Sequence, residues 1–268
     1  MAVNAHDLLA PVLLKLARER PGALVGLCAP QASGKTTASR ALEGTFAAEG
    51  LRAVTLSLDD LYLPRVEREA LAREVHPLFV TRGPPGTHDV ALGSQLVDAL
   101  RASGPVLMPR FDKAADDRAA AEAVDGPADL ILFEGWCVGA RPQPEADLAR
   151  PVNLLEREED ADGAWRRHVQ AQLAGPYAKL FERVDLLVLL EPPSFEVVIG
   201  WRSAEERKLR APMLARSGDL ARTMDEEQVA RFMQHYERLT RWILSDLPER
   251  AHVVIGLDAE RNASLLKA

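Results

Sequence analysis

The chain has 268 residues, of which 47% are apolar and 27% are charged, and its formal net charge is -7. This composition predicts an ordered globular protein, and the length favours one large α/β domain over two small ones. The negative charge argues against broad binding to nucleic acid or anionic membranes, because both need a dominant basic field.

The first predicted element is an amphipathic helix from Ala5 to Arg20, which ends at Pro21-Gly22. The same stretch lacks the order of a signal peptide, because Asp7 precedes the apolar run and Lys15 lies within it. Nowhere does the sequence approach the roughly eighteen apolar residues of a membrane span. We therefore expect a cytoplasmic protein that does not bind membranes.

A predicted strand from Ala23 to Cys28 and a predicted helix from Lys35 to Ala48 flank the sequence APQASGKT. That octapeptide fits a phosphate-binding loop, although Ala29 stands where the motif normally opens with Gly. Ala can occupy this position if the backbone there keeps a negative φ. Loop amides and the helix dipole favour an anion, so we expect Lys35 to reach the β and γ phosphates of ATP and Thr36 to bind Mg²⁺. The expected nucleotide contacts are Pro30, Gln31, Ala32, Ser33, Gly34, Lys35, Thr36 and Thr37.

A second predicted strand, Ala53 to Leu58, ends at Asp59-Asp60. A kinase that acts on an alcohol benefits from a carboxylate that positions the hydroxyl and accepts its proton. We assign this role to Asp59, with Asp60 as its substitute. The alternative is an acidic turn that caps the following helix.

Basic residues follow in the next part of the chain. The predicted elements there are a helical segment from Leu61 to Val75, a loop from Arg82 to Asp89, a helix from Val90 to Ala102, an extended piece from Pro105 to Met108 and a polar loop from Arg110 to Arg118. The cations Arg82, His88, Arg110, Lys113 and Arg118 suit a small acidic substrate, because Arg binds a carboxylate with paired hydrogen bonds. Surface ion pairs are the alternative for any one of them.

A buried strand is predicted from Asp129 to Phe133, and Glu134 follows it. An acid at the carboxyl end of a strand beside a phosphate loop can hold Mg²⁺ directly or through water. A solvated strand-end glutamate is the alternative, but the presence of Lys35 favours the metal role.

The remaining predicted elements are a helix from Asp160 to Glu182, a strand from Val184 to Leu190, helices from Phe195 to Arg210 and from Asp225 to Leu247, and a strand from Ala251 to Leu257. The alternation predicts a P-loop NTPase three-layer sandwich, with a mostly parallel sheet of about five strands and a ligand site at their carboxyl ends. We expect one domain over 1–268, with an acceptor-binding insertion around 60–125 and a lid around 202–224. Within the lid, Arg202, Lys208 and Arg210 are candidates to close over the phosphoryl group.

The motifs resemble those of the D-glycerate 3-kinase family of plants, fungi and bacteria, within the phosphoribulokinase and uridine kinase group. APQASGKTT, LSLDDLYL, RGPPGTHD, PRFDKAADDR and LFEGW occur in the family's order and approximate spacing, and MDEEQVARFMQHYERLT resembles its carboxyl-terminal part. The resemblance implies ATP and Mg²⁺, Asp59 in the position of the base, Tyr62 facing the acceptor, and Arg82 and His88 in the acceptor site. Ala32 replaces the Gly that relatives usually carry.

These observations predict an ATP-dependent kinase that phosphorylates a hydroxyl of D-glycerate or a similar small hydroxy acid. The expected catalytic residues are Lys35, Asp59 and Arg202, and the expected substrate contacts are Asp60, Tyr62, Arg82, His88, Arg110 and Lys113. One alternative is a kinase for a nucleoside, pantothenate or a sugar phosphate. Another is a nucleotide-binding switch without kinase activity, for which Ala29 and Ala32 are the only hints.

Overall fold

The computed structural model describes residues 3–215 and 223–268. The helices are α1 (Ala5–Glu19), α2 (Lys35–Ala48), α3 (Arg65–Glu74), α4 (Val90–Arg101), α5 (Leu154–Glu159), α6 (Ala164–Gln172), α7 (Ala178–Phe181), α8 (Phe195–Ala215) and α9 (Glu226–Arg250). The strands are β1 (Ala23–Cys28), β2 (Ala53–Ser57), β3 (Gly104–Asp112), β4 (Asp117–Gly126), β5 (Leu130–Gly135), β6 (Leu186–Glu191), β7 (Val253–Leu257) and β8 (Ala263–Lys267). Residues 216–222 of the predicted lid lie outside the described part of the chain.

Six strands of the described chain form one sheet in the order β2-β5-β1-β6-β7-β8. The pairs from β2 to β7 are parallel, and β8 joins β7 antiparallel. The predicted α/β class with a mostly parallel sheet is therefore confirmed. Strand β8 was not predicted, because its side chains after Ala263 are exposed and give no apolar run.

Both faces of the sheet are buried. Ile131 and Phe133 of β5 join one hydrophobic cluster with α4, α6 and part of α9, whereas Leu130 and Leu132 join a second cluster with α1, α2 and the start of α8. Alternate residues of a strand point to opposite faces, so a strand that is covered on both sides reads as one apolar run. The layers are thus helix, sheet and helix.

The prediction of a polar loop from Arg110 to Arg118 is wrong. Arg110 lies in β3 and Arg118 in β4, and these strands form an antiparallel hairpin whose turn begins at Lys113. Most side chains of β4 are exposed or half-buried, so the strand lacks the alternation that would reveal it in the sequence. Its backbone pairing with β3 stabilises the strand instead.

Other boundaries differ in smaller ways. The predicted strand to Leu58 ends at Ser57, and a 3₁₀ turn, Leu58–Leu61, follows. The predicted helix from Asp160 to Glu182 is divided by a π-helical turn around Pro176, which lacks the N–H of a regular helix. Among the described residues, we find no helix with the length and apolarity needed to cross a membrane.

Candidate active site

The loop between β1 and α2 closes on itself and on β5. The Ala29 N–H donates to the Gly135 carbonyl at 3.1 Å, and the Ser33 hydroxyl donates to the Pro30 carbonyl at 2.7 Å. Gly34 precedes α2 with φ at +88°, in the left-handed region that glycine adopts without strain. Lys35 then begins the helix, so the loop meets a helix amino terminus as phosphate binding requires.

The two alanines of the loop have different conformations. In the described chain, positive φ among non-glycine residues occurs only at Ala32, Asp116 and Arg261. Ala29 therefore meets the condition that the sequence set for it. Ala32 has φ at +59°, a conformation that glycine would adopt more easily. This explains in physical terms why Gly suits the position and why Ala there adds strain.

Asp59 lies at the carboxyl edge of the sheet, just after β2, with both oxygens bound. Its Oδ1 accepts from the Tyr62 hydroxyl at 2.9 Å, and its Oδ2 accepts from Lys113 Nζ at 2.6 Å. Burial raises the pKa of Asp59, but the charges of Lys113 and Lys35 outweigh it and hold that pKa below its ordinary value. Asp59 is thus an ionised carboxylate beside the phosphate loop.

Glu134 is the penultimate residue of β5 and is almost fully buried. Burial raises the pKa of its carboxyl, while Lys35 lowers it and Asp59 raises it further. Its Oε2 atom is buried and has no hydrogen-bond partner among the described residues. An unpaired carboxylate oxygen next to a phosphate loop is chemically suited to Mg²⁺, because this ion usually takes one or two protein ligands together with waters and phosphates.

Asp60 stabilises the hairpin. Its Oδ1 accepts from the Phe111 N–H at 3.0 Å and its Oδ2 accepts from Arg110 at 3.1 Å. Arg110 also donates to Glu122 across the hairpin. The two adjacent aspartates thus have different surroundings: Asp60 anchors β3, whereas Asp59 faces Lys35 and Lys113.

Arg82 and His88 are also bound within the fold. Arg82 forms an ion pair with Asp116, and its carbonyl accepts from the Tyr236 hydroxyl at 3.0 Å. The His88 ring stacks on Tyr62 with centroids 4.5 Å apart, and its Nδ1 lies 2.6 Å from the Tyr177 hydroxyl. Burial lowers the pKa of His88 to about 3, so the ring is neutral near pH 7.

Several residues that hold the loop from Arg82 to Asp89 were missed by sequence reasoning. The Trp136 indole N–H donates to the Gly83 carbonyl at 3.0 Å, and a Cβ at Gly83 would overlap the Tyr236 hydroxyl. Trp136 belongs to the quoted LFEGW motif, so its position was a signal that went unused. Tyr236 also lies in a quoted motif, MDEEQVARFMQHYERLT, whereas Tyr177 lies in none of them. The contacts of both tyrosines cross about 90 to 150 residues of sequence, so neither partner could be read from the motifs.

The described part of the predicted lid begins in α8. Arg202 forms an ion pair with Glu206 at 2.7 Å and lies 6.0 Å from the centre of the Phe232 ring. Glu206 also accepts from the Met224 N–H at 2.8 Å. Lys208 is exposed and Arg210 half-buried on the same helix. Arg202 thus contacts side chains of α8 and α9. Its role at the phosphoryl group stays a prediction.

Comparison with known proteins places this geometry among kinases. No family model matches the chain. An uncharacterized kinase of Schizosaccharomyces pombe is 28% identical, over 94% of this chain and 93% of its own length. The chloroplastic D-glycerate 3-kinase of Arabidopsis thaliana is 29% identical over 91% of this chain, which spans 54% of the plant protein's length.

A solved structure shows the same fold. The D-glycerate 3-kinase of Cryptococcus neoformans superposes with a TM-score of 0.78, at 23% identity, over 97% of this chain and 99% of its own. At this identity the likeness shows the architecture alone. Together with the kinase relatives, it supports the resemblance of the motifs. The chain is therefore a phosphotransferase with a hydroxyl group as acceptor, and over most of its length it is similar to kinases that include a D-glycerate 3-kinase.

Proposed function

We propose that this kinase transfers the γ-phosphoryl group of ATP to a hydroxyl of D-glycerate or a similar small hydroxy acid. The observation that carries the proposal is the ion pair of Asp59 with Lys113, formed beside Lys35 and Glu134. A carboxylate for the hydroxyl, a lysine for the phosphates and a cation for the acceptor thus meet at one edge of the sheet. Relatives named D-glycerate 3-kinase support glycerate, or a similar small hydroxy acid, as the acceptor.

Asp59 receives the acceptor hydroxyl in this proposal. The hydroxyl replaces Lys113 at Oδ2, while Tyr62 keeps Oδ1 and fixes the orientation of the carboxylate. As the acceptor oxygen bonds to the γ phosphorus, the bond between that phosphorus and the β-γ bridging oxygen breaks, and the hydroxyl proton passes to Asp59. ADP and the phosphorylated acid are the products.

Lys35 and the loop amides neutralise the charge on the phosphates. Thr36 and Glu134 are the residues that would hold Mg²⁺, which neutralises charge on the β and γ oxygens when it is bound. Because Glu134 Oε2 is buried without a partner in the described chain, its carboxylate is available for this role.

The acceptor's own carboxylate needs a cation, and Lys113 is the best placed. Its side chain is 60% exposed, so the ammonium can leave Asp59 without breaking a packed core. Arg110 and Arg82 are more strongly held, by Asp60 with Glu122 and by Asp116. We assign acceptor binding first to Lys113 and give Arg82, His88 and Arg110 the task of shaping the site around it.

A coupled ADP-release assay across acceptors tests the proposal. The panel contains D-glycerate, L-glycerate, uridine, pantothenate and ribulose 5-phosphate, each with ATP and Mg²⁺. The proposal expects the highest kcat/KM with glycerate or another small hydroxy acid. Faster turnover of the nucleoside, pantothenate or the sugar phosphate would show that the acceptor is not a small hydroxy acid. ATP binding without turnover of any acceptor would favour a nucleotide-binding switch.

A further inference from the structure

Arg261 contacts the phosphate loop from the turn between β7 and β8. Its Nε donates to the Ala32 carbonyl at 2.7 Å. Arg261 has φ at +67° and Ala32 has φ at +59°, so this hydrogen bond joins two non-glycine residues that both adopt the left-handed conformation. Such conformations cost free energy and persist where the surroundings enforce them, often at functional sites.

The turn that carries Arg261 is firmly held. Asp258 and Asn262 exchange backbone and side-chain hydrogen bonds, and the Arg261 N–H donates to the Asp258 carbonyl at 3.0 Å. The indole N–H of Trp201, in α8, donates to the Ala259 carbonyl at 2.7 Å. The Arg261 guanidinium also lies over the Trp201 ring, 4.9 Å from its centre. The arginine is therefore held in place by contacts within the protein itself.

The hydrogen bond from Arg261 to the Ala32 carbonyl also sets the direction of the next amide of the loop, the Ser33 N–H. The carbonyl of Ala32 and the N–H of Ser33 belong to one planar peptide unit and point in opposite directions. With the carbonyl bound to Arg261, the direction of this peptide unit is fixed, and the Ser33 N–H donates to the Pro30 carbonyl at 3.4 Å. Loop amides are the groups that bind phosphate in such a site.

We infer that Arg261 is a positioning residue that holds the phosphate loop in its nucleotide-binding conformation and offsets the strain of Ala32. The inference rests on the proposed use of a nucleotide by this loop. A glycine at position 32 would adopt the left-handed conformation without this cost, and the loop would then depend less on Arg261. The two residues should therefore be energetically coupled.

The test is a double-mutant cycle with Arg261→Asn and Ala32→Gly. Asn tolerates positive φ, so Arg261→Asn removes the guanidinium while it preserves the turn. We measure the dissociation constant of ADP, the KM for ATP, kcat and the melting temperature. Arg18→Asn is the control for removal of a surface arginine. In the described part of the chain, Arg18 lies in α1, pairs with Glu49 and makes no hydrogen bond to the phosphate loop.

Arg261→Asn should weaken ADP binding and raise the KM for ATP by about tenfold, as expected for a lost hydrogen bond to a charged group. Its kcat should stay close to that of the wild type, and loss of the hydrogen bond should lower the melting temperature by only a few degrees. In the Ala32→Gly background the same change should cost less than about threefold. A merely structural role would lower the melting temperature without weakening ADP binding, or would weaken ADP binding equally in both backgrounds.

Equal ADP affinity of Arg261→Asn and the wild type would overturn the inference. The same loss of ADP affinity on Arg261→Asn in the wild-type and Ala32→Gly backgrounds would also overturn it. Failure of the wild type itself to bind ADP or ATP would overturn the proposed function and, with it, this role of Arg261. Binding by the wild type without any effect of Arg261→Asn leaves the proposed function intact. The two failures are thus distinguishable.

Discussion

Lys113 Nζ lies 2.6 Å from Oδ2 of Asp59, although the two residues are 54 positions apart in the sequence. The contact brings the turn of the β3–β4 hairpin to the carboxyl edge of the central sheet. It also places an exposed, movable cation on the oxygen that we assign to the acceptor hydroxyl. Lys113 therefore lowers the pKa of Asp59. In the proposed function, an anionic acceptor draws the ammonium away from this carboxylate.

The first prediction concerns Lys113→Met. Loss of Lys113 removes a charge and a hydrogen bond that lower the pKa of Asp59, while burial continues to raise it, so the pKa rises. An ionised base is needed for transfer, so activity is lost as the pH falls through that pKa. The acidic limb of kcat/KM for the acceptor should move upward by about one pH unit or more, which a pH–rate profile measures.

Lys113→Arg is the matched control, because it retains a cation within reach of Asp59. It should leave the acidic limb near its wild-type position while changing the KM for the acceptor, since a guanidinium has a different shape from an ammonium. If Lys113→Met and the wild type show the same acidic limb, Lys113 does not set the ionisation of Asp59.

The second prediction concerns Glu134→Gln. The amide keeps the size of the side chain but removes the charge that we assign to Mg²⁺, so the Mg²⁺ concentration for half-maximal activity should rise by about tenfold or more. Removal of the metal with EDTA should abolish turnover in both proteins. Mg²⁺ titrations at saturating ATP measure the change.

Glu191→Gln provides the comparison, because Glu191 also ends a parallel strand of the same sheet but is not assigned to the metal. It should leave the Mg²⁺ requirement unchanged. A Glu134→Gln enzyme with wild-type Mg²⁺ dependence would remove Glu134 from metal binding.

The sequence predicted the parts of the site that follow from strand order. The parallel strands β1, β2 and β5 end at the same edge of the sheet, so residues at or just after their carboxyl ends had to lie close together. This reasoning found Lys35, Asp59 and Glu134, which the structure places within each other's electrostatic influence. Their roles in catalysis stay predictions.

Long-range polar contacts could not be predicted in the same way. Asp116 contacts Arg68 and Arg82, and Tyr177 contacts His88, across 34 to 89 residues of sequence. No periodicity specifies such partners, because they depend on how the hairpin and the later helices pack. The sequence therefore singled out cations such as Arg82 as candidates for acceptor binding, but it could not show that Arg82 is already paired with Asp116.

The third prediction concerns Gly83→Ala. Gly83 has φ at +124°, and a Cβ there would overlap the Tyr236 hydroxyl that binds the Arg82 carbonyl. The substitution should lower the free energy of unfolding by at least about 2 kcal/mol and raise the KM for the acceptor. Chemical denaturation and steady-state kinetics measure the two effects.

Gly44→Ala is its counterpart within α2, where a Cβ would meet no atom within 4 Å. It should raise the free energy of unfolding by about 0.5 to 1 kcal/mol, because Ala is the better helix former. Destabilisation of similar size by both substitutions would contradict the specific packing of Gly83 against Tyr236.

The fourth prediction concerns the pH dependence of stability. Burial lowers the pKa of His235 from 6.5 to about 4, so the folded protein keeps this ring neutral while the unfolded chain binds a proton below about pH 6.5. Its contribution to stability is complete above that pH and is lost as the pH falls toward 4. The loss amounts to about 1.4 kcal/mol per pH unit.

His235→Phe removes this proton uptake and retains an aromatic ring against Trp165. Between about pH 5.5 and 4.5, its free energy of unfolding should fall less steeply than that of the wild type, by about 1.4 kcal/mol per pH unit. Urea denaturation at several pH values measures both slopes. Identical slopes would show that His235 does not contribute to the pH dependence.

In the proposed mechanism, Asp59 orients the acceptor hydroxyl beside a phosphate loop that binds ATP independently of it. Single-turnover transfer of labelled γ-phosphate from ATP to D-glycerate measures this role when the wild type is compared with Asp59→Asn. We expect the wild type to label the acid, and Asp59→Asn to be slower by about 10² to 10⁴ with unchanged ATP affinity. Equal transfer rates for the two proteins would remove Asp59 from the transfer step.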